Sequence, residues 1–224
     1  MGSHAEYNVM LDVAIIDYKM SNLHSVQAAC NKVGLSSMIT SDFNQILDSK
    51  AAILPGVGAF GEAMSHLTST GLDSCIIDFV KTGKPFIGIC LGLQLLFSGS
   101  DEFGDHKGLG IISGNVKKFK FFKINDIKYP VPQIGWNKIY QNKISWDQTF
   151  LNKNKDQDFM YFVHSYYVEP EDKNIILNQT IYGNQKYCSA IQSGNIFATQ
   201  YHPEKSGNTG MKIYKQLKTK LEKK

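Results

Sequence analysis

"FIGICLGLQLLF", residues 86–97, decides how this chain is read. An apolar run meets a lone cysteine set among glycines, Gly88-Ile89-Cys90-Leu91-Gly92, and an amphipathic stretch follows. Residues 86–89 read as a buried strand and the segment after Cys90 as a helix, which puts the cysteine at the turn between them. A residue at a sharp strand-to-helix turn projects its reactive atom out of the sheet, and flanking glycines let the turn be tight. The helix start aims free N–H groups and its positive dipole end at the sulfur, favouring the reactive thiolate. The pentapeptide alone leaves two readings open: a nucleophile on an elbow, or a buried cysteine packed at a helix start.

Upstream, Val13 to Asp17 reads as a short buried strand, and Ser21 as the cap of a helix that runs through Val33 and stops at Gly34. Residues 36–41, "SSMITS", form a second strand, Asp42 caps a brief helix, and "AAILPG" at 51–56 is a third strand. The spacing of Phe60, Met64, Leu67, Leu72, Ile76 and Phe79 predicts one helix over 60–81, and Gly83-Lys84-Pro85 turns the chain into the strand before Cys90. Strands alternating with helices imply βαβ crossovers and parallel pairing. Beyond about residue 110, segments 114–124, 134–140, 159–168, 175–181, 187–192 and 196–201 read as strands joined by turns. Thr209 onward is one helix with Ile213, Leu217 and Leu221 on one face. The expectation is one α/β domain over 11–224, with a mixed, largely parallel central sheet flanked by helices. Met1 to Ala5 resemble a cloning scar, and residues 1–10 are set apart as that scar or an N-terminal extension.

Of the 224 residues 42% are apolar, enough for a sizeable core. No run of eighteen apolar residues occurs and the start lacks the pattern of a secretory signal, so a cytoplasmic chain without membrane spans is expected. The net charge is +4 and every one of the 24 basic residues is lysine. Without arginine's planar fork, readout of nucleic acid is disfavoured and a lysine-rich solvated surface is the plainer account. Cys30, Cys75, Cys90 and Cys188 show no C-x-x-C spacing, which speaks against a zinc site or a disulfide framework. Three of them read as small apolar fillers, and Cys90 is the exception.

A nucleophile needs a base and a group that orients it. Of the histidines, His4 lies in the probable scar, His24 and His66 sit within predicted helices, and His106 falls in polar "DEFGDHKG". His164, in "YFVHSYY", and His202, in "QYHPEKS", lie near strand ends. His202 is the better base: Pro203 stiffens the backbone beyond it, and Glu204 can reach back to one imidazole nitrogen while the other faces a thiol. Taken alone, "HPE" also suits a turn before a helix with a surface carboxylate. Acyl chemistry needs donors for a developing oxyanion, and the Leu91 N–H and the bare backbone of "PGVGAFG" at 55–61 are candidates.

Together, Pro55-Gly56-Val57-Gly58, Gly88-Ile89-Cys90-Leu91-Gly92-Leu93-Gln94 and His202-Pro203-Glu204-Lys205-Ser206 resemble the class I, triad-type glutamine amidotransferases. "DYKMSNLHSV", "LPGVGAFGEAM", "VPQIGWNKI", "YFVHSYYV" and "HPEKSGNTG" narrow the likeness to the glutaminase subunits of imidazole glycerol phosphate synthases, from about Leu11 to the C-terminus. The resemblance implies glutamine as substrate and a heterodimer with a (β/α)8 cyclase subunit. Ammonia would pass through the cyclase barrel into a histidine-pathway precursor. Neither metal nor organic cofactor is implied. By motif, Cys90 would be the nucleophile, His202 base and acid, and Glu204 its orienter. Leu91, Val57 and Gly58 would form the oxyanion site, Val57 after a peptide flip. Gly56, Gly58, Gln94, Glu102, Ser165 and Tyr166 would hold glutamine, and Asn22, Trp136, Asn137, Tyr161 and Lys205 would meet the cyclase. Gln94 also suits an exposed helix face, Trp136 a core anchor, Tyr161 packing under the sheet and Lys205 a solvated surface.

The chain departs from that pattern at Lys19 and Ser21, where glycines are usual, at Gln133-Ile134, where His-Met is common, and at Tyr201, where Phe is commoner. Two of these lie near the expected docking face. They keep open a paralogous glutaminase that supplies ammonia for modifying a bacterial surface sugar. A non-catalytic scaffold subunit is the alternative of another class.

Overall fold

The computed structural model describes residues 11–20, 22–120, 122–124 and 127–223. The reading of residues 1–10 and the proposed Ser21 cap lie outside them. The first half is β1 (Val13–Ile16), α1 (Leu23–Lys32), β2 (Ser37–Thr40), α2 (Phe43–Asp48), β3 (Ala51–Gly56), α3 (Phe60–Thr70), α4 (Leu72–Lys81), β4 (Phe86–Cys90) and α5 (Leu91–Leu95). Then come β5 (Phe97–Ser100), β6 (His106–Lys107), β7 (Ile112–Lys118), β8 (Phe122–Ile124), β9 (Ile127–Tyr129), β10 (Gln133–Lys138) and β11 (Tyr140–Gln141). The chain ends with β12 (Phe159–His164), β13 (Tyr166–Pro170), β14 (Ile176–Tyr182), β15 (Gln185–Ser193), β16 (Ile196–Thr199) and α6 (Gly207–Glu222).

The main sheet is mixed, as expected, and runs β2-β1-β3-β4-β16-β15-β13-β7-β5-β6. From β2 to β16 every pairing is parallel, and those among β1 to β4 follow from crossovers through α1 to α4. From β16 through β15 and β13 to β7 the pairings are antiparallel. Strands β1, β3 and β4 are buried along their whole length and carry runs such as VAII and FIGIC, the composition of strands covered on both faces. Helix α6 buries Ile213 and Leu217 and rests Leu221 against the same core. Asp42 caps α2 as read, its Oδ1 accepting the Gln45 N–H at 2.9 Å. Among the described residues no helix is long and apolar enough to cross a membrane.

Several expectations are corrected. The helix over 60–81 is two helices, because Gly71 takes φ 75° and ends α3 in a left-handed cap. The stretch after Cys90 is not amphipathic: α5 has five residues, all buried, and the chain then enters β5. Segment 159–168 is broken at Ser165, where the chain leaves a two-stranded sheet of β10 and β12 and joins the main sheet as β13. Segments 114–124 and 134–140 likewise divide, into β7 with β8 and β10 with β11.

Candidate active site

The elbow at Cys90 is built from small residues on every side. Cys90 has φ 55° and ψ −108°, a left-handed conformation that side chains rarely adopt. Its neighbours permit the tight turn because a Cβ at Gly92 would overlap the Leu54 carbonyl, and one at Gly88 would lie 3.0 Å from both Ala198 Cβ and the Gly92 carbonyl oxygen. Parallel pairing sets Gly56 opposite Cys90 and Thr199 opposite Ile89, so the ends of β3 and β16 flank the cysteine. Residues 200–204 therefore continue directly past the sulfur.

His202 and Glu204 follow in a short 3₁₀ turn that Pro203 opens. His202 Nδ1 lies 2.8 Å from Glu204 Oε1, and both side chains are almost wholly buried. A carboxylate only accepts, so Nδ1 carries the proton and Nε2 is left for the thiol. Nε2 is buried with no hydrogen-bond partner among the described residues. Burial alone would lower the His202 pKa; the Cys90 sulfur and then Glu204 outweigh it and push it up to about 10. That value exceeds the ordinary 6.5, so the imidazolium stabilises the fold fully below about pH 6.5 and loses this contribution as pH rises toward 10. We expect Tm to fall between pH 7 and 10 more steeply in the native chain than in Cys90→Ser, which removes the largest raising influence. A difference of about 1 kcal/mol corresponds to about 2–4 °C in a chain of this size. Parallel Tm–pH curves would count against the assignment.

His164, the other candidate base, is ruled out by its surroundings. It is packed among Phe119, Phe162 and Tyr187. Nδ1 donates to the Tyr166 carbonyl at 2.7 Å and Nε2 lies 3.3 Å from the Tyr187 hydroxyl. Burial lowers its pKa to about 3, so this imidazole is neutral and structural.

A cavity of about 280 Å³ opens over Cys90, and Val57, Gly58, Leu91, Gln94, Glu102, Ser165 and Tyr166 all line it. Gly56 sits just behind, in β3. Gln94 is not on an exposed face but 5% exposed, its Nε2 donating to the Tyr166 carbonyl and to Gln200 Oε1, both at 3.1 Å. Glu102 is buried and its Oε2 accepts the Phe60 N–H at 2.7 Å, tying the segment after β5 to the start of α3. The Val57 N–H donates to the Met20 carbonyl at 3.1 Å. A larger, open groove of about 600 Å³ runs along α3 and α4 and contains none of the expected catalytic residues.

The residues expected at a partner face also gather. Trp136 is 56% exposed, not a core anchor, and meets half-buried Tyr161 edge-on across the β10–β12 pair. Ile134 and Phe159 extend this apolar patch, and Lys205 is exposed. Asn137 departs from the group, since its Nδ2 donates to the Ile181 carbonyl at 2.9 Å. Asn22 heads α1 and lines a small void that also touches Val57, His202 and Glu204. Tyr161 is bonded to the base segment by its backbone: its carbonyl accepts the His202 N–H and its N–H donates to Ser206 Oγ, both at 3.0 Å.

The departures at Lys19, Tyr201 and Gln133 are accommodated, and Ser21 lies outside the described residues. Lys19 takes φ 68°, which explains why glycine suits this position, and its N–H donates to Asp17 Oδ1 at 2.8 Å. The extra hydroxyl of Tyr201 is buried and accepts from Asn178 Nδ2 at 3.2 Å. Gln133 Oε1 accepts from the Tyr187 hydroxyl at 2.9 Å. The other three cysteines are buried, and burial raises their thiols to about 12, 11 and 12 for Cys30, Cys75 and Cys188. Gln200 was missed by the sequence reading. The signal was a polar residue just past an apolar strand, in "IFATQY", where a buried amide needs a reason.

The family described as Glutamine amidotransferase class-I matches residues 14–219. The chain is 43% identical over 210 residues to imidazole glycerol phosphate synthase subunit HisH of Aquifex aeolicus, covering 93% of this chain and 97% of that protein. It is 40% identical over 205 residues to the protein of the same name from Wolinella succinogenes, covering 92% and 98%. Among solved structures, PurLQS from Thermotoga maritima superposes with a TM-score of 0.71 at 17% identity, covering 95% of this chain and 99% of that one. The glutaminase domain of Trypanosoma brucei CTPS, solved with acivicin bound, gives 0.58 at 13% identity, covering 96% and 95%. At such low identity these two attest the fold.

Proposed function

Because the chain belongs to the class-I glutamine amidotransferase family, we propose that it is the glutaminase subunit of an imidazole glycerol phosphate synthase, serving histidine biosynthesis. The observation that carries the chemistry is the buried His202–Glu204 pair beside a cysteine held at positive φ over an amino-acid-sized cavity.

The Cys90 thiolate attacks the side-chain amide carbon of glutamine, and the carbonyl π pair moves to oxygen. The N–H of Leu91, and that of Val57 once released from Met20, stabilise this oxyanion. His202 gives its proton to the departing nitrogen, the C–N bond breaks, and ammonia leaves a glutamyl thioester. The neutral imidazole then takes a proton from water as its oxygen attacks the thioester. Collapse expels the thiolate and releases glutamate, and Glu204 steadies the imidazolium in both halves of the cycle. Gly58, Gln94, Glu102, Ser165 and Tyr166, with Gly56 just behind them, form the wall that grips the amino-acid end of glutamine.

For the partner we infer a cyclase subunit seated on the Trp136, Ile134 and Phe159 patch, with Tyr161, Asn22 and Lys205 at or near it and Asn137 turned away toward Ile181. An exposed apolar cluster of this kind is costly to leave in water and is the composition of an interface centre. Trp136→Ala is expected to weaken the heterodimer by about 2 kcal/mol or more, roughly thirtyfold in Kd, measured by calorimetric titration. An unchanged Kd would move the docking face elsewhere. The reading as a whole is tested by glutamate release from glutamine, with the chain alone and with a histidine-pathway cyclase and its nucleotide ligand. Strong stimulation supports it. Slow, Cys90-dependent turnover that the cyclase leaves unchanged would keep the glutaminase and remove this partner.

A further inference from the structure

Gln200 has no part in the cycle above, yet its side chain is wholly buried against the reacting sulfur. Thr199 pairs with Ile89 in the parallel register of β16 and β4, so the next residues, Gln200 and Cys90, are neighbours. The Gln200 backbone N–H is fixed to the Ser189 carbonyl at 2.9 Å, and its Nε2 lies 3.7 Å from Cys90 Sγ. The amide cannot be turned the other way. Gln94 Nε2 must donate, because the Tyr166 carbonyl accepts from it; Gln200 Oε1 accepts from the same nitrogen, which leaves the Gln200 NH₂ for the sulfur.

The sulfur has a different neighbour for each protonation state. The Val163 carbonyl, 3.8 Å away, can only accept and therefore suits a thiol S–H. The Gln200 amide can only donate at that position and suits a thiolate, since a neutral thiol is a poor acceptor and a buried N–H without one is costly. We propose that Gln200 is a positioning residue for the nucleophile: its amide, oriented by Gln94 and the Tyr166 carbonyl, donates to the Cys90 thiolate and holds the sulfur on the substrate side of the elbow. This rests on the reading of Cys90 as the nucleophile. The charged and titratable groups around the sulfur are His202 and Glu204 past β16, Tyr18 past β1, His164 at the end of β12, and Glu102 and Tyr166 in the cavity wall. All are retained in the variants below.

The test is alkylation of the full chain by iodoacetamide from pH 6 to 10, located at Cys90 by mass spectrometry, for the native protein, Gln200→Met and Gln200→Glu. Methionine keeps the length and loses the donor; glutamate puts an acceptor against the sulfur. We expect Cys90 of Gln200→Met to react about tenfold more slowly than native at pH 7. The deficit should narrow as pH rises, and Gln200→Glu should be slower still. Glutaminase kcat should fall with the alkylation rate, and KM for glutamine should change less. Equal rates and equal pH profiles overturn the proposal. So does faster alkylation, which is what a purely packing role would give by loosening the site. A Gln200→Met chain that has lost its native circular dichroism assigns the residue to the core and overturns it too. If native Cys90 is itself inert at pH 7, the nucleophile reading fails first, which the native arm alone reveals.

Discussion

Cys90→Ser is expected to lower glutamate release by at least about 10⁴-fold, with glutamine binding retained. Groups that act as one unit lose most of their joint effect when the nucleophile goes. Here the loss has a specific cause. The nearby sulfur is the chief influence that raises the His202 pKa, and a serine hydroxyl in its place is a much weaker nucleophile. The cavity wall at Gln94, Glu102 and Tyr166 is untouched, so calorimetry should still report binding. Turnover within tenfold of native would exclude the thioester route and return His202 and Glu204 to a structural pair.

The second large effect is the activation expected from the cyclase. In the isolated chain the Val57 N–H is committed to the Met20 carbonyl, and a donor so engaged is unavailable to an oxyanion. Loss of one oxyanion donor costs about 10²–10³ in kcat. The complex with ligand-bound cyclase should therefore release glutamate at least about 10²-fold faster than the chain alone, with the gain in kcat. The loop is accessible to such control: Val57 is 40% exposed and Gly58, at φ 102°, has the freedom a peptide rotation needs. Full turnover by the isolated chain would mean that Leu91 alone suffices.

The elbow at Cys90 and the His202–Glu204 pair were legible because their parts are local. The elbow is spelled by five adjacent residues and the His202–Glu204 pair by three, and each is a short-range geometry. The strands of the parallel half were equally plain, being runs of Val, Ile, Ala and Leu between turn residues. What escaped depended on distance or on a single dihedral. Gln200 finds its sulfur 110 positions away. The split of the helix over 60–81 turns on Gly71 alone, since the apolar spacing on either side is continuous. Ser165 breaks a segment whose alternation runs straight through, because only the packing of two separate sheets requires the change of direction. The apolar stretch after Cys90 has too few residues before β5 to show that it is covered on all sides.

The two backbone bonds of Tyr161 bear on how sequences of this kind can diverge. Side chains on β12 alternate, with Phe159 and Tyr161 turned toward the exposed apolar patch and Met160 and Phe162 toward the core. The same strand carries the bond to His202 and, one residue before its end, the sulfur's carbonyl neighbour, Val163. One inserted residue would reverse the patch and dislodge the base in a single event. On the function proposed above, choice of partner and alignment of the base are thus inherited as one trait. Drift in this strand should proceed by exchange of side chains at fixed length, leaving gain and loss of residues to the loops on either side.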